Sequence, residues 1–309
     1  MTDAQRRLAA IATGQLGTFS RAQALDAGLS NRQLRRRVQS GILDQIGPHS
    51  FRFAGAPPTP RSQLYELLLD VGAPVWVAGP SALAIHRFDG ARLVRAFHLV
   101  VPPQRNVRRN GAVIHRFEDL EPVDLTVVDS FPVTTVARTI IDMARWAAPF
   151  ELRRLVEQAV SDGWLEEELL FRRIAALRSQ GRYGIPALLA VLEQRELTRG
   201  GESWLEREYL RLLATARLPR PDTQVVLAEA SNRIVRVDCH FAGTDVVVEL
   251  LGYRFHRTRS QMNRDTDRQN ALLAAGKRVY QFTFDQVTTT PHDVVGQTAR
   301  ALGIPILTP

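Results

Sequence analysis

Two β-rich runs around a glycine turn constrain this chain more than any other feature. Ile234-Val235-Arg236-Val237-Asp238-Cys239-His240-Phe241 and Asp245-Val246-Val247-Val248-Glu249-Leu250 flank Ala242-Gly243-Thr244. With Gly243-Thr244 as a two-residue loop, glycine first, Asp238 lies opposite Glu249 and His240 opposite Val247. The other face pairs Val237 with Leu250, Cys239 with Val248 and Phe241 with Val246, all apolar, so alternation and register agree. Two carboxylates directly across a ladder stand about 5 Å apart and repel. A proton on one of them, or a cation between them, relieves the repulsion. A divalent metal with oxygen ligands is one solution; a solvated polar face with a nearby arginine is the other.

At 309 residues the chain suggests two or three domains, and 45% hydrophobic residues suffice for real cores. No apolar run reaches membrane-span length and the first residues lack an apolar signal core, so a cytoplasmic protein without a membrane partner is expected. The single cysteine, Cys239, excludes an internal disulfide framework and a cysteine-based zinc site. The net charge of +8 points toward nucleic acid. Of the 40 basic residues only Lys277 is a lysine, a skew that coding bias also produces, so the distribution says more than the total. Residues 1–55 hold eight arginines against Asp3, Asp26 and Asp44, a local net of +5; residues 200–309 hold 14 basic and 12 acidic residues, a net of +2.

Residues 1–55 read as a winged helix-turn-helix. Leu8 and Ile11 recur at helical spacing. Ser20-Arg21-Ala22-Gln23 and Ser30-Asn31-Arg32-Gln33 are capping boxes, the second with Leu29 and Leu34 as a hydrophobic staple. Gly28 supplies the tight turn between the two helices. The second helix, roughly 31–40, exposes Arg32, Gln33, Arg35 and Arg36 beside an inward Leu34 and Val38. Residues 42–53 form two short strands around Gly47-Pro48, a wing. Arginine and glutamine on such a face suit phosphates and major-groove base edges, so Arg32, Gln33, Arg35 and Arg36 are the candidate DNA-binding residues; an arginine-rich solvated helix is the plainer alternative. The stretch resembles the N-terminal winged-helix domain of AbiEi-type regulators, antitoxin halves of bacterial abortive-infection systems. The matching pieces are Phe19-Ser20-Arg21-Ala22-Gln23-Ala24, Gly28-Leu29-Ser30 and Arg35-Arg36-Arg37-Val38-Gln39-Ser40-Gly41.

A proline-rich linker, Ala56-Pro57-Pro58-Thr59-Pro60, precedes an α+β middle domain, residues 60–199. A helix begins near Gln63, strands are expected at Val75–Val77, Phe97–Val101 and Ala112–His115, and a helix from Thr135 to Trp146. Ser81-Ala82-Leu83-Ala84-Ile85-His86 and Val133-Thr134-Thr135-Val136-Ala137-Arg138-Thr139-Ile140-Ile141-Asp142 are similar to the middle region of AbiEi-like proteins. Arg138 and Asp142 have the spacing of an intrahelical ion pair. His86, His98 and His115 lack metal-ligand spacing, and Arg105, Arg108 and Arg109 form a basic loop, solvated or in contact with phosphate. No catalytic constellation is legible here.

Residues 200–309 read as a mixed-sheet α/β domain in the order α-β-β-β-α-β-α. That order, with Ser203-x-x-Glu206, Asp238, Glu249, His256, Arg264-Asp265-x-Asp267-Arg268 and Ala275-Gly276-Lys277-Arg278-Val279, resembles the PD-(D/E)XK, restriction-endonuclease-like superfamily, in its very-short-patch-repair (Vsr-like) branch. The resemblance implies a metal-dependent DNA endonuclease with Mg²⁺ or Mn²⁺ held by Asp238, Glu249 and Glu206, and His256 as proton donor or phosphate contact. Leu251 departs from the pattern, which carries lysine or aspartate two residues beyond Glu249.

The expected architecture is thus an α/β multidomain chain: winged helix at 1–55, AbiEi-like middle domain at 60–199 and nuclease-like domain at 200–309. Two functions compete. One is metal-dependent phosphodiester hydrolysis; the other is a non-enzymatic transcriptional regulator or antitoxin of an AbiE-like system with a degenerate nuclease fold. Asp238 and Glu249 favour the first and Leu251 the second. DNA is the partner in both, a cognate toxin protein joins it in the second, and a homodimer is compatible with either.

Overall fold

The computed structural model describes residues 2–55, 57–177, 185–199, 203–228, 234–252 and 259–305. Its contacts divide the chain into two units, Met1–Met143 with Arg154–Glu166, and Ala144–Arg153 with Glu167–Pro309. The architecture is mixed α/β, with three separate sheets among the described residues.

The first unit opens with α1 (Asp3–Gly14), β1 (Thr18–Ser20), α2 (Arg21–Asp26), α3 (Asn31–Gln39), β2 (Leu43–Gln45) and β3 (Ser50–Phe53). Both expected capping boxes form. The Ser20 and Ser30 hydroxyls accept the backbone N–H of Gln23 and Gln33, whose side chains accept the serine N–H in return. Gly28, at φ +101°, turns the chain between α2 and α3, and Ala4 stands 3.5 Å from where a Cβ would be. Leu29 and Leu34 are buried with Leu8, Ala12, Phe19, Ala24, Leu43 and Phe51 in one small core. The three strands pair antiparallel in the order β1-β3-β2.

The same unit continues with α4 (Pro60–Val71), β4 (Trp76–Val77), α5 (Gly79–Ile85), β5 (Phe97–Val101), β6 (Ala112–Arg116), β7 (Leu125–Val128), β8 (Phe131–Thr134) and α6 (Val136–Met143). Its sheet runs β6-β5-β4-β8-β7 over a core of Leu64, Leu68, Val77, Phe97, Leu99, Phe131 and Val133. The β7–β8 hairpin was not expected. It turns at Asp129-Ser130, both at positive φ, the conformation a tight two-residue hairpin demands. Arg138 exceeds the expected helical ion pair. Fully buried, it donates from Nε to Asp142 at 3.0 Å and from Nη1 to Asp124 at 2.8 Å, reaches Asp119 at 3.2 Å, and lies over the Phe117 ring. His98 Nδ1 stands 3.0 Å from His115 Nε2, a contact that sequence spacing conceals because it crosses from β5 to β6. The basic loop is structural: Arg105 donates to the carbonyls of Val71 and Pro74 at 2.7 and 2.9 Å, Arg109 Nε bonds Asp70 at 2.7 Å, and Arg108 is exposed.

α7 (Pro149–Ser161), α8 (Glu167–Leu177) and α9 (Ile185–Arg199) follow. The second unit then carries α10 (Trp204–Thr215), β9 (Asp222–Ala228), β10 (Ile234–His240), β11 (Val246–Leu251), α11 (Arg259–Ala274), β12 (Arg278–Thr283), α12 (Phe284–Thr289) and α13 (Pro291–Leu302). Pro291 splits the single closing helix expected from sequence into α12 and α13. The sheet order is β12-β11-β10-β9, with β11 and β12 parallel and the other pairs antiparallel. Trp204 stacks on Phe171 and packs against Phe284, while the Tyr209 hydroxyl meets Thr298 Oγ1 at 3.0 Å in the interior.

Candidate nucleic-acid interface

The surface of α3 follows directly from its sequence. Leu34 is fully buried and Val38 half-buried, which turns Arg32, Gln33, Arg35 and Arg36 to solvent; Arg37 is half-buried and its Nη1 donates to the Gln33 carbonyl at 3.4 Å. Among the described residues, Arg32, Arg35 and Arg36 form no ion pair. Other arginines of the same stretch are engaged: Arg6 and Arg7 face Asp3, and Arg52 bonds Asp44 at 3.2 Å and Glu66 at 3.0 Å. Three uncompensated guanidinium groups on one exposed helical face are an electrostatic site for a polyanion.

Gln33 is more restricted than sequence suggests. Its Oε1 already accepts the Ser30 N–H at 2.8 Å. Bidentate reading of adenine needs the amide oxygen as well as the amide nitrogen, so the oxygen's place in the cap leaves Gln33 its Nε2 donors for a ligand.

The β2–β3 turn is held rather than loose. Gly47 lies against Asp70 of α4: a Cβ built on it would come within 2.5 Å of Oδ1. The same oxygen accepts the His49 N–H at 2.9 Å, while Arg109 bonds Oδ2. Burial raises the Glu66 carboxyl above its ordinary range, against the pull of Arg52. Neither Asp70 nor Glu66 signals this role in the sequence, since both sit in the next helix beyond the proline linker.

In the second unit the expected β10–β11 register forms at His240↔Val247 and Cys239↔Val248. The loop differs: Phe241 N–H donates to Val246 O, Thr244 N–H to Phe241 O, and Gly243 sits at φ +74°. It is therefore a four-residue loop, Ala242 to Asp245, closed by the Phe241–Val246 rung. The facing of Asp238 and Glu249 across a ladder rung is corrected too. A regular ladder would next carry the Leu250 N–H to the Val237 carbonyl; instead that N–H donates to Asp238 Oδ2 at 2.8 Å. The neighbouring strand is irregular at the same level. The β9–β10 ladder runs to Val237↔Val225 and resumes at Cys239↔Thr223, and Gln224 between them takes φ +53°. The kink also breaks the expected alternation: Val237 packs with Val247 and Leu272.

Glu206 is buried in the first turn of α10, which Ser203 caps, and its Oε1 accepts from Gln224 Nε2 at 2.7 Å. Glu249 is buried on β11, and Leu251 pairs with Thr283 of β12. His256 lies outside the described residues. A divalent metal needs several oxygen or nitrogen ligands converging on one point. Among the described residues no group of three or more His, Cys, Asp or Glu side chains is placed to hold a metal ion. Lys277 Nζ lies 3.3 Å from His240 Nε2, at the start of β12. No helix among the described residues is long and apolar enough to cross a membrane.

Residues 6–51 match a family model described as a transcriptional regulator, AbiEi antitoxin. Comparison with curated proteins gives no match. Among solved structures, the chain is similar to the RV2827C protein from Mycobacterium tuberculosis at 14% identity, over 62% of this chain and 82% of that one, with a TM-score of 0.33.

Proposed function

We propose that the chain is a DNA-binding transcriptional regulator of the antitoxin type, in which residues 1–55 act as a winged helix and α3 enters the major groove. One observation carries the reading: Arg32, Arg35 and Arg36 stand exposed and without ion pairs, among the described residues, on a helix fixed by a capping box and by buried Leu34. The family match over residues 6–51 spans this same module and supports a DNA-binding regulatory role. Phosphate contacts by the three arginines would supply affinity, and their reach to base edges would supply discrimination. In this reading the partners are DNA and a cognate toxin protein.

The test is fluorescence anisotropy with duplex fragments from upstream of the chain's own gene, titrated over a range of salt. Wild type should bind, and the triple change of Arg32, Arg35 and Arg36 to alanine should weaken binding and flatten its salt dependence by about 0.9 per lost phosphate contact. Equal affinity in the triple variant would remove α3 as the reading element.

A second reading, metal-dependent DNA hydrolysis with Mg²⁺ or Mn²⁺ at Asp238, Glu249 and Glu206, keeps one observation in its favour. Gln224 bonds Glu206 and lies at the kink opposite Asp238, so two of the three carboxylates neighbour one break in the sheet. Cleavage of supercoiled plasmid in Mg²⁺ or Mn²⁺, abolished by chelator and by Asp238→Asn, would establish it; intact plasmid under both metals would leave the regulator alone.

A further inference from the structure

Arg21 occupies a position that its place in a capping box does not announce. The last rung of the β1–β3 ladder is Ser20↔Ser50, and the Arg21 N–H then donates to the His49 carbonyl at 2.8 Å. This pins the start of α2 to the β2–β3 turn. Its side chain crosses back over the Phe51 ring, with Cζ 5.1 Å from the centroid. From there Nη1 donates to Asn31 Oδ1 at 3.1 Å and Nη2 to the Pro48 carbonyl at 3.4 Å. One guanidinium therefore touches the first residue of α3 and the tip of the turn at once.

Three features set this group apart from a structural arginine. Both polar contacts lie at exposed positions. Among the described residues Arg21 forms no ion pair, unlike Arg6, Arg7 and Arg52 in the same module. Of its five N–H donors, these contacts use two, both to neutral acceptors, so its positive charge is uncompensated by a carboxylate. Stacking and two hydrogen bonds also fix the plane of the fork before any ligand arrives, which reduces the entropy lost on binding.

We propose that Arg21 is a pre-oriented binding site for a DNA backbone phosphate, located between α3 and the β2–β3 turn. The proposal rests on the reading of residues 1–55 as a DNA-binding winged helix. In that docking, a charge lying between the groove-entering helix and the wing meets the sugar-phosphate backbone rather than a base edge. Arg21 therefore adds affinity without sequence preference and sets the angle at which α3 approaches.

The experiment is anisotropy of full-length wild type, Arg21→Ala, Arg21→Lys and Asn31→Ala on two duplexes of unrelated sequence, at several salt concentrations. Arg21→Ala should weaken binding by the same factor on both duplexes and lower the slope of log K against log salt by about 0.9. Arg21→Lys should retain the slope while losing affinity, because charge remains but the stacked fork does not. Asn31→Ala should likewise retain the slope. A melting scan of each variant separates folding from binding: an unchanged slope in Arg21→Ala, whatever its melting temperature, would overturn the phosphate site and reduce Arg21 to a packing staple. Absence of binding by wild type would overturn the DNA reading and the site with it.

Discussion

Asp238 and Leu250 form a side-chain-to-backbone bond where a sheet would ordinarily bond strand to strand. The Oδ2 of Asp238 takes the Leu250 N–H at 2.8 Å, in the place of the Val237 carbonyl. Asp238→Ala should therefore leave a backbone donor unsatisfied and cost about 1–3 kcal/mol. Asp238→Asn keeps an acceptor oxygen and should cost much less. Urea denaturation distinguishes the two; equal losses would mean that the carboxylate charge, not this bond, is what matters. A wild-type midpoint that rises with Mg²⁺, with no response in either variant, would support the metal reading of the site.

Gly47 predicts a purely steric effect. Its φ lies outside the left-handed region, yet a Cβ would stand 2.5 Å from Asp70 Oδ1 and 2.6 Å from Cγ. Asp70 is buried and bonded to Arg109 and His49, so it has little freedom to retreat. Gly47→Ala should lower stability by about 1–3 kcal/mol and weaken DNA binding through the displaced turn. Combining it with Asp70→Ala should recover part of the loss, and strictly additive losses in a double-mutant cycle would rule out the clash.

Arg138 serves three aspartates from within the first unit. Arg138→Met removes the buried cation while leaving Asp124 and Asp142 in place, so a loss of about 3–5 kcal/mol is expected. Chemical denaturation measures it. A loss below about 1 kcal/mol, the size of an exposed helical pair, would return Arg138–Asp142 to that simpler description.

Glu196 gives the second unit a pH dependence. Burial pushes its carboxyl up to about 7, against the Trp204 N–H, which it accepts at 2.6 Å, and the Arg207 guanidinium. Because the folded value lies above the ordinary 4.5, folding favours the protonated form, and stability drawn from this group declines as pH rises between about 4.5 and about 7. Glu196→Gln retains an oxygen for the Trp204 N–H without the buried charge. Relative to wild type, it should melt higher at pH 8 than at pH 5. An identical difference at both pH values would show that the carboxyl titrates normally.

What could be read from the sequence was local. Ser20/Gln23, Ser30/Gln33 and Gly28 define their own geometry within four residues, and all three formed as expected. The β10–β11 register was legible because period-two alternation admits few pairings. Its breakdown at Asp238 was not, since it coincides with a positive-φ backbone at Gln224, on another strand. The β7–β8 hairpin was hidden by Pro132, a residue that argues against a strand in any local reading. In the sequence Arg21 reads only as charge and as part of a cap, because Asn31 and Pro48 approach it only in three dimensions.

The attachment of the β2–β3 turn to α4 also bears on how this protein can be dissected. A fragment ending at residue 55 would follow the apparent domain boundary, yet it would remove Asp70 from the His49 N–H and Glu66 from Arg52. Such a fragment would keep α3 and its arginines while losing the anchorage of the turn beside them. The smallest piece suited to measuring DNA affinity therefore extends at least through Val71, the end of α4, and a weak shorter fragment would report its own truncation rather than the native module.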